Sequence, residues 1–137
     1  MPQVQELMTK KPRTLQPDAS AVDAARLMRE QDAGVIPLVE GDRLVGVVTD
    51  RDIAIRVVAE GKDPTKTKVA AFTSQNLVTI DPQQDLDEAL RLMAEHQVRR
   101  LPVIEEDGRL VGILAQADVA RHADEARTGR LVEQISE

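Results

Sequence analysis

The sequence contains an internal repeat, and this repeat restricts the possible folds more than any other feature. Residues 22–28 read VDAARLM, and 65 positions later residues 87–93 read DEALRLM. The segment IPLV at 36–39 corresponds to LPVI at 101–104, and RLVG occurs at both 43–46 and 109–112. Repeats of this kind indicate one supersecondary unit used twice, with copies that pack together. We place the first copy at residues 4–61 and the second at 69–125.

Each copy begins with an extended segment and a helix. The extended segments, Arg13–Leu15 and Val78–Ile80, precede prolines that stop a helix from starting earlier. Ser20-x-x-Asp23 and Asp85-x-x-Glu88 are typical of capping pairs at helix starts. The spacing i, i+3, i+4, i+7 predicts an apolar stripe on each helix. Its members are Ala21, Ala24, Ala25 and Met28 in the first copy, and Leu86, Ala89, Leu90 and Met93 in the second.

Two strands joined by a polar turn follow in each copy. The first pair is Val35–Val39 and Leu44–Val48, and the second is Val98–Ile104 and Leu110–Leu114. A second helix closes each copy, at Asp50–Ala59 and Gln116–Ala123. The predicted fold class is therefore α/β, of the α+β type, with two β-α-β-β-α units. Residues 126–137 are predicted to form a short terminal helix.

Composition excludes several classes of function. Phe72 is the one aromatic residue besides two histidines, so the chain lacks stacking platforms for single-stranded nucleic acid. The formal net charge of −6 gives phosphate backbones no overall attraction, and we expect no nucleic-acid partner. The absence of cysteine and of a membrane span or signal peptide favours a cytoplasmic protein.

A seven-residue motif follows each predicted hairpin. It has the form G-h-x-[ST]-x-x-D and reads GVVTDRD at 46–52, whereas GILAQAD at 112–118 has lost the hydroxyl. In these patterns h is an apolar residue, and the strands IPLV and LPVI share the pattern x-P-h-h. Taken together with these strands and with the internal repeat, the motif resembles that of the CBS domain. The pair resembles the two-domain Bateman module, and most of all the small stand-alone bacterial type. The likeness covers nearly the whole chain.

The resemblance implies a pseudo-two-fold pair with two clefts between the repeats that bind adenine nucleotides. The motif's Asp holds the ribose in this family and its Ser/Thr lies near the phosphates. The first cleft would comprise Val47, Thr49, Arg51, Asp52, Thr73, Val78, Val98 and Arg99. The second, weaker cleft would comprise Thr9, Arg13, Ala33, Arg100, Ile113 and Asp118. Ligands of this class are AMP, ADP, ATP or S-adenosylmethionine.

Some of these residues have more than one interpretation. Thr49-x-x-Asp52 is a good capping box, but a cap does not account for Asp118, because Ala115 has removed the hydroxyl. Arg99 and Arg100 fit phosphate contacts and surface ion pairs equally well. Arg13 stands where the family has an apolar residue, so it either reaches a phosphate or intrudes on the adenine.

The residues suggest no catalytic and no metal site. No nucleophile and base are placed together by the repeats, and His96 and His122 have no second ligand at helical spacing. The first hypothesis is a nucleotide sensor, not an enzyme, that signals to an unidentified protein target. The alternative is a ligand-free interaction or scaffold protein with the same fold. We also expect a homodimer, with Ile53, Val57 and Val119 as candidate contacts.

Overall fold

The computed structural model describes residues 2–73 and 77–124, and the predicted terminal helix at 126–137 lies outside them. Helices and strands are mixed, which confirms the α+β class. The helices are α1 (Val4–Leu7), α2 (Ala21–Gln31), α3 (Asp50–Ile53), α4 (Leu86–His96) and α5 (residues 116–124). The strands are β1 (Thr9–Lys10), β2 (Val35–Glu40), β3 (Arg43–Thr49), β4 (Arg100–Ile104) and β5 (Leu110–Ala115).

The chain forms two compact units that do not coincide with the two repeats. The Asp52 unit consists of the described residues from Pro12 to Leu77, together with Glu106–Leu110. The Asp118 unit consists of the described residues up to Lys11, of Val78–Glu105 and of those from Val111 onward. The short opening segment of each repeat therefore belongs to the unit that contains most of the other repeat.

Equivalent hydrogen bonds hold these exchanged segments in the two units. In the Asp118 unit, the Val4 N–H donates to the Gln84 carbonyl at 2.8 Å. In the Asp52 unit, the Val69 N–H donates to the Ala19 carbonyl, also at 2.8 Å. Both valines are fully buried, so each segment contributes a side chain to the core that it joins.

Each unit has its own small sheet. In the Asp52 unit β2 and β3 form an antiparallel hairpin around a two-residue turn, where Gly41 has a φ of +64° that favours glycine. In the Asp118 unit the strand order is β1-β5-β4. The predicted extended segments before each first helix contribute only single parallel bridges, Leu15 to Leu38 and Ile80 to Val103.

The first helix of each repeat is capped largely as the sequence predicts. At α2 the Asp23 N–H donates to Ser20 Oγ at 3.1 Å, and the Ser20 N–H donates to Asp23 Oδ2 at 3.0 Å. At α4 the Glu88 N–H donates to Asp85 Oδ1 at 3.0 Å. The Glu88 carboxylate turns instead to Arg91, whose Nη2 lies 2.6 Å from Glu88 Oε1 and lowers the pKa of Glu88.

The apolar stripe of these helices differs at one position from the prediction. Ala25 is exposed and Leu90 is 40% exposed, so the expected i+4 members do not face the cores. Leu27 is buried in α2 and Leu92 packs against the core from α4. The buried face thus runs through positions i, i+3, i+6 and i+7. It shares three positions with the predicted stripe and has i+6 in place of i+4.

The predicted helix Asp50–Ala59 changes form after one turn. Residues Asp50–Ile53 are α-helical and Ala54–Val58 form a π-helical turn, in which the Ala59 N–H donates to the Ala54 carbonyl at 2.9 Å. Val57 is fully buried, whereas Val58 is 66% exposed. The wider turn therefore directs Val57 into the core of its own unit.

The two cores are built almost entirely from aliphatic side chains. Phe72, 3% exposed, lies in the core of the Asp52 unit, and Leu101, Val103 and Leu114 are fully buried in that of the Asp118 unit. Ile53, Val57 and Val119, which the sequence suggested for a dimer contact, pack in these cores. That assignment was wrong, because apolar residues of a closing helix first cover their own sheet.

The motif glycine of the second repeat is required by a close approach of the backbone. A Cβ on Gly112 would lie 2.9 Å from the Thr9 carbonyl oxygen of the neighbouring strand β1 and would also collide with Met8 Sδ. Thr9 and Ile113 are partners in this pairing. The glycine thus has a packing role that is independent of any ligand.

Candidate functional site

The Thr49–Asp52 junction lies where strand β3 passes into helix α3. Thr49 is paired with Val35 at the end of the hairpin, so the last strand residue also caps the helix. The Asp52 N–H donates to Thr49 Oγ1 at 3.0 Å, and the Thr49 N–H donates to Asp52 Oδ2 at 3.1 Å. Both side chains are half-buried. Within the described residues, Asp52 Oδ1 accepts no hydrogen bond, which leaves one carboxylate oxygen for a ligand.

The Asp118 junction keeps half of this arrangement without a hydroxyl. The Ala115 N–H donates to Asp118 Oδ2 at 3.0 Å. The carboxylate three residues after the N-cap therefore accepts a hydrogen bond from the N-cap amide, whether the N-cap residue is threonine or alanine. The inference that a cap does not account for Asp118 was wrong for this reason. Helix capping explains both aspartates.

The segment before each x-P-h-h strand reaches the helix start of the same repeat. The Asp50 N–H donates to the Gly34 carbonyl at 3.0 Å, which places Ala33 beside the Asp52 junction. The Gln116 N–H donates to the Arg99 carbonyl at 2.7 Å, which places Val98 and Arg99 beside the Asp118 junction. Each junction is thus framed by a backbone loop from its own unit.

The residues that the resemblance assigned to each cleft are divided between the two units. Of the first set, the Asp52 unit holds Val47, Thr49, Arg51, Asp52 and Thr73, and the Asp118 unit holds Val78, Val98 and Arg99. Of the second set, the Asp118 unit holds Thr9, Arg100, Ile113 and Asp118, and the Asp52 unit holds Arg13 and Ala33. The grouping of these residues around common ligands stays a prediction.

Four arginines considered as phosphate contacts have exposed side chains. Arg13, Arg51, Arg99 and Arg100 all belong to the exposed class. Within the described residues they form no ion pair with a carboxylate, so the surface-pair interpretation has no geometric support. Their guanidinium groups are accessible to anions from solvent.

Arg56 is a structural contact that the sequence did not indicate. Its Nη1 donates to the Phe72 carbonyl at 3.0 Å. This bond connects the π-helical turn to the backbone immediately before Thr73. The two residues are 16 positions apart and follow no local pattern, and an arginine on a helix is usually read as a solvated charge. Thr73 belongs to the predicted first cleft, so this bond bears on the candidate site.

The described residues offer no obvious metal centre. Among them, no three His, Asp or Glu side chains are grouped closely enough to hold a metal ion. Among the helices of the described residues, none has the length and apolar character needed to cross a membrane.

Comparison with known protein families gives a clear result. A family model described as the CBS domain matches this chain twice, at residues 4–59 and 69–125. The CBS domain-containing protein YhcV of Bacillus subtilis is 42% identical over 120 residues, which span 88% of this chain and 84% of that protein. Hypoxic response protein 1 of Mycobacterium tuberculosis is 43% identical over 113 residues, which span 82% of this chain and 78% of that protein.

Two solved structures show the same fold. Hypoxic Response Protein I, crystallised with two coordinated zinc ions, superimposes with a TM-score of 0.81 at 38% identity, covering 88% of this chain and 98% of that one. CBSX2 in complex with AMP superimposes with a TM-score of 0.80 at 27% identity, covering 91% and 98%. The similarity therefore extends over almost all of each compared chain.

Proposed function

This chain belongs to the CBS domain family as a tandem pair, and we propose that it is a regulatory module that binds an adenine nucleotide at the Asp52 junction. Binding changes the surface that a partner protein recognises. The proposal involves no catalytic step.

The observation that carries the proposal is the asymmetric use of the Asp52 carboxylate. Oδ2 accepts from the Thr49 N–H at 3.1 Å, while Oδ1 accepts no hydrogen bond within the described residues. A half-buried carboxylate with an unused oxygen suits the hydroxyls of a ribose, as acidic residues do in other nucleotide folds. Thr49 is the adjacent hydroxyl toward which a phosphate group would be directed.

The AMP complex of CBSX2 supports the ligand class. That protein is 27% identical to this chain, of which the match covers 91%, and its structure contains AMP. The residues from the other unit that the resemblance adds to the first cleft, Val78, Val98 and Arg99, remain part of the proposal. AMP, ADP, ATP and S-adenosylmethionine are the ligands to be compared.

A ligand-free interaction protein is the second candidate. One observation favours it: capping accounts for Thr49, Asp52 and Asp118 without any ligand. The second set of residues also departs from the family pattern, because Ala115 lacks the motif hydroxyl and Arg13 replaces an apolar residue. The two candidates predict different outcomes in a direct binding measurement.

We expect the purified chain to bind at least one adenine nucleotide with micromolar affinity. Isothermal titration calorimetry with AMP, ADP, ATP and S-adenosylmethionine measures this directly. Mass spectrometry of small molecules released on denaturation identifies any nucleotide that co-purifies. No heat with all four ligands and no released nucleotide would favour the scaffold function instead.

We further propose that the chain forms a homodimer. Val58 is an aliphatic side chain that is 66% exposed, and the π-helical turn presents it on the outside of the Asp52 unit. Covering this side chain with a second copy would remove apolar surface from water, which favours association.

Val58→Asp should convert the dimer to a monomer, because the buried carboxylate would have no partner. Light scattering should give twice the 15.1 kDa monomer mass for the wild type and about the monomer mass for the variant. Val45→Asp is the matched control, since Val45 on β3 is 37% exposed and has no proposed contact. A wild type that is monomeric at micromolar concentration contradicts the proposal.

A further inference from the structure

The Asp118 carboxylate has both of its oxygens engaged within the described structure. Oδ2 accepts from the Ala115 N–H at 3.0 Å. Oδ1 forms an ion pair with Arg121 Nη2, one turn further along α5. The Asp118 side chain is only 13% exposed, whereas that of Arg121 is 72% exposed. The guanidinium, which is itself largely exposed, therefore pairs with a carboxylate that is mostly shielded from solvent.

The first repeat has a different residue at the corresponding place. The motifs align Gly46 with Gly112 and Asp52 with Asp118, so Ile55 corresponds to Arg121. Ile55 is 47% exposed and carries no donor. Asp52 Oδ1 accordingly accepts no hydrogen bond within the described residues, although its Oδ2 makes the same backbone contact as that of Asp118.

We propose that Arg121 masks Asp118 and that Ile55 leaves Asp52 open, so that this position shifts the preference of a nucleotide toward Asp52. The inference rests on the proposed nucleotide-binding function and adds a residue outside the seven-residue motif. A ribose hydroxyl that reaches Asp118 Oδ1 has to displace a charged donor that is already in place. At Asp52 the hydroxyl meets, among the described residues, no charged donor that it would have to displace.

The size of this effect follows from the strength of such a pair. An exposed ion pair contributes up to about 1 kcal/mol, which corresponds to roughly a fivefold change in affinity. Arg121 therefore shifts the preference between the two aspartates without abolishing binding by itself. The lost hydroxyl at Ala115 acts in the same direction and has to be separated from it experimentally.

Exchanging the two residues tests the inference. Ile55→Arg should weaken binding of AMP or ATP at the Asp52 junction about fivefold, because the new guanidinium pairs with Asp52. Ile55→Gln is the matched control, since glutamine is polar but uncharged, and its affinity should stay within twofold of the wild type. Ile55 is already half-exposed, so both changes are compatible with folding.

The reverse exchange is made in a background that restores the hydroxyl. Ala115→Thr combined with Arg121→Ile should take up a second nucleotide about fivefold more tightly than Ala115→Thr alone. Calorimetry of the wild type and these four variants gives affinity and stoichiometry together. If the wild type binds, Ile55→Arg binds as tightly as the wild type, and the double variant binds as Ala115→Thr alone does, this inference is overturned and the proposed function stands. Absence of binding by all five proteins would overturn both.

Discussion

Asp52→Ala is expected to abolish the rise in melting temperature that an adenine nucleotide produces. A ligand that binds only the folded state adds about 2.7 kcal/mol to the free energy of unfolding at 100 times its dissociation constant. If loss of the ribose acceptor raises that constant 100-fold, the same nucleotide concentration adds only about 0.4 kcal/mol. Differential scanning fluorimetry with and without millimolar AMP, ADP or ATP measures this difference.

The capping role of Asp52 requires a matched control. Asp52→Ala also removes the bond from the Thr49 N–H, at 3.1 Å, and loss of a helix cap costs about 1 kcal/mol. Asp23→Ala removes the equivalent bond from the Ser20 N–H, at 3.0 Å, in the same unit but away from the junction. Both variants should melt at a lower temperature than the wild type without ligand. Only Asp52→Ala should lose the nucleotide-induced shift.

Asp118→Ala completes the comparison between the two aspartates. It removes the bond from the Ala115 N–H and should likewise lower the melting temperature of the free protein. Most of the nucleotide-induced shift should remain, because the first nucleotide is taken by Asp52. If Asp118→Ala loses the shift and Asp52→Ala keeps it, the nucleotide has been assigned to the wrong aspartate.

Leu101→Ala should lower the free energy of unfolding by about 3 kcal/mol, which is roughly 10 °C in melting temperature. Leu101 lies on β4 and is fully buried in the core of the Asp118 unit. Its neighbours are mostly aliphatic, branched and closely packed, so they fill the resulting cavity only in part. Urea denaturation followed by circular dichroism measures the loss.

Leu90→Ala provides the control for the same chemical change. Leu90 is 40% exposed on helix α4, and alanine is the better helix former, so the expected effect is below about 0.5 kcal/mol. Similar losses for the two variants would show that Leu90 contributes to a core or to an interface with a second copy. In the first case Leu90 would have to be added to the buried face of α4, which the structure forms from Leu86, Ala89 and Met93.

The sequence determined the features that depend on residues a few positions apart. The capping pair Ser20–Asp23, the two hairpins and the α+β class follow from spacings of two to four residues, because helices and turns form between near neighbours. The Thr49–Asp52 junction was predicted for the same reason. The CBS family was recognisable because two such local patterns recur in the same order.

The tertiary structure decided how the repeated segments are shared. Val4 and Val69 occupy equivalent positions in the two repeats. Val4, from the first repeat, packs in the unit that contains α4 of the second repeat, and Val69, from the second repeat, packs in the unit that contains α2 of the first. Local sequence does not distinguish the two partners, because both repeats offer nearly the same apolar surface. The choice depends on chain length and packing over tens of residues. The Arg56 bond to the Phe72 carbonyl is likewise non-local, because the two residues are 16 positions apart in the sequence.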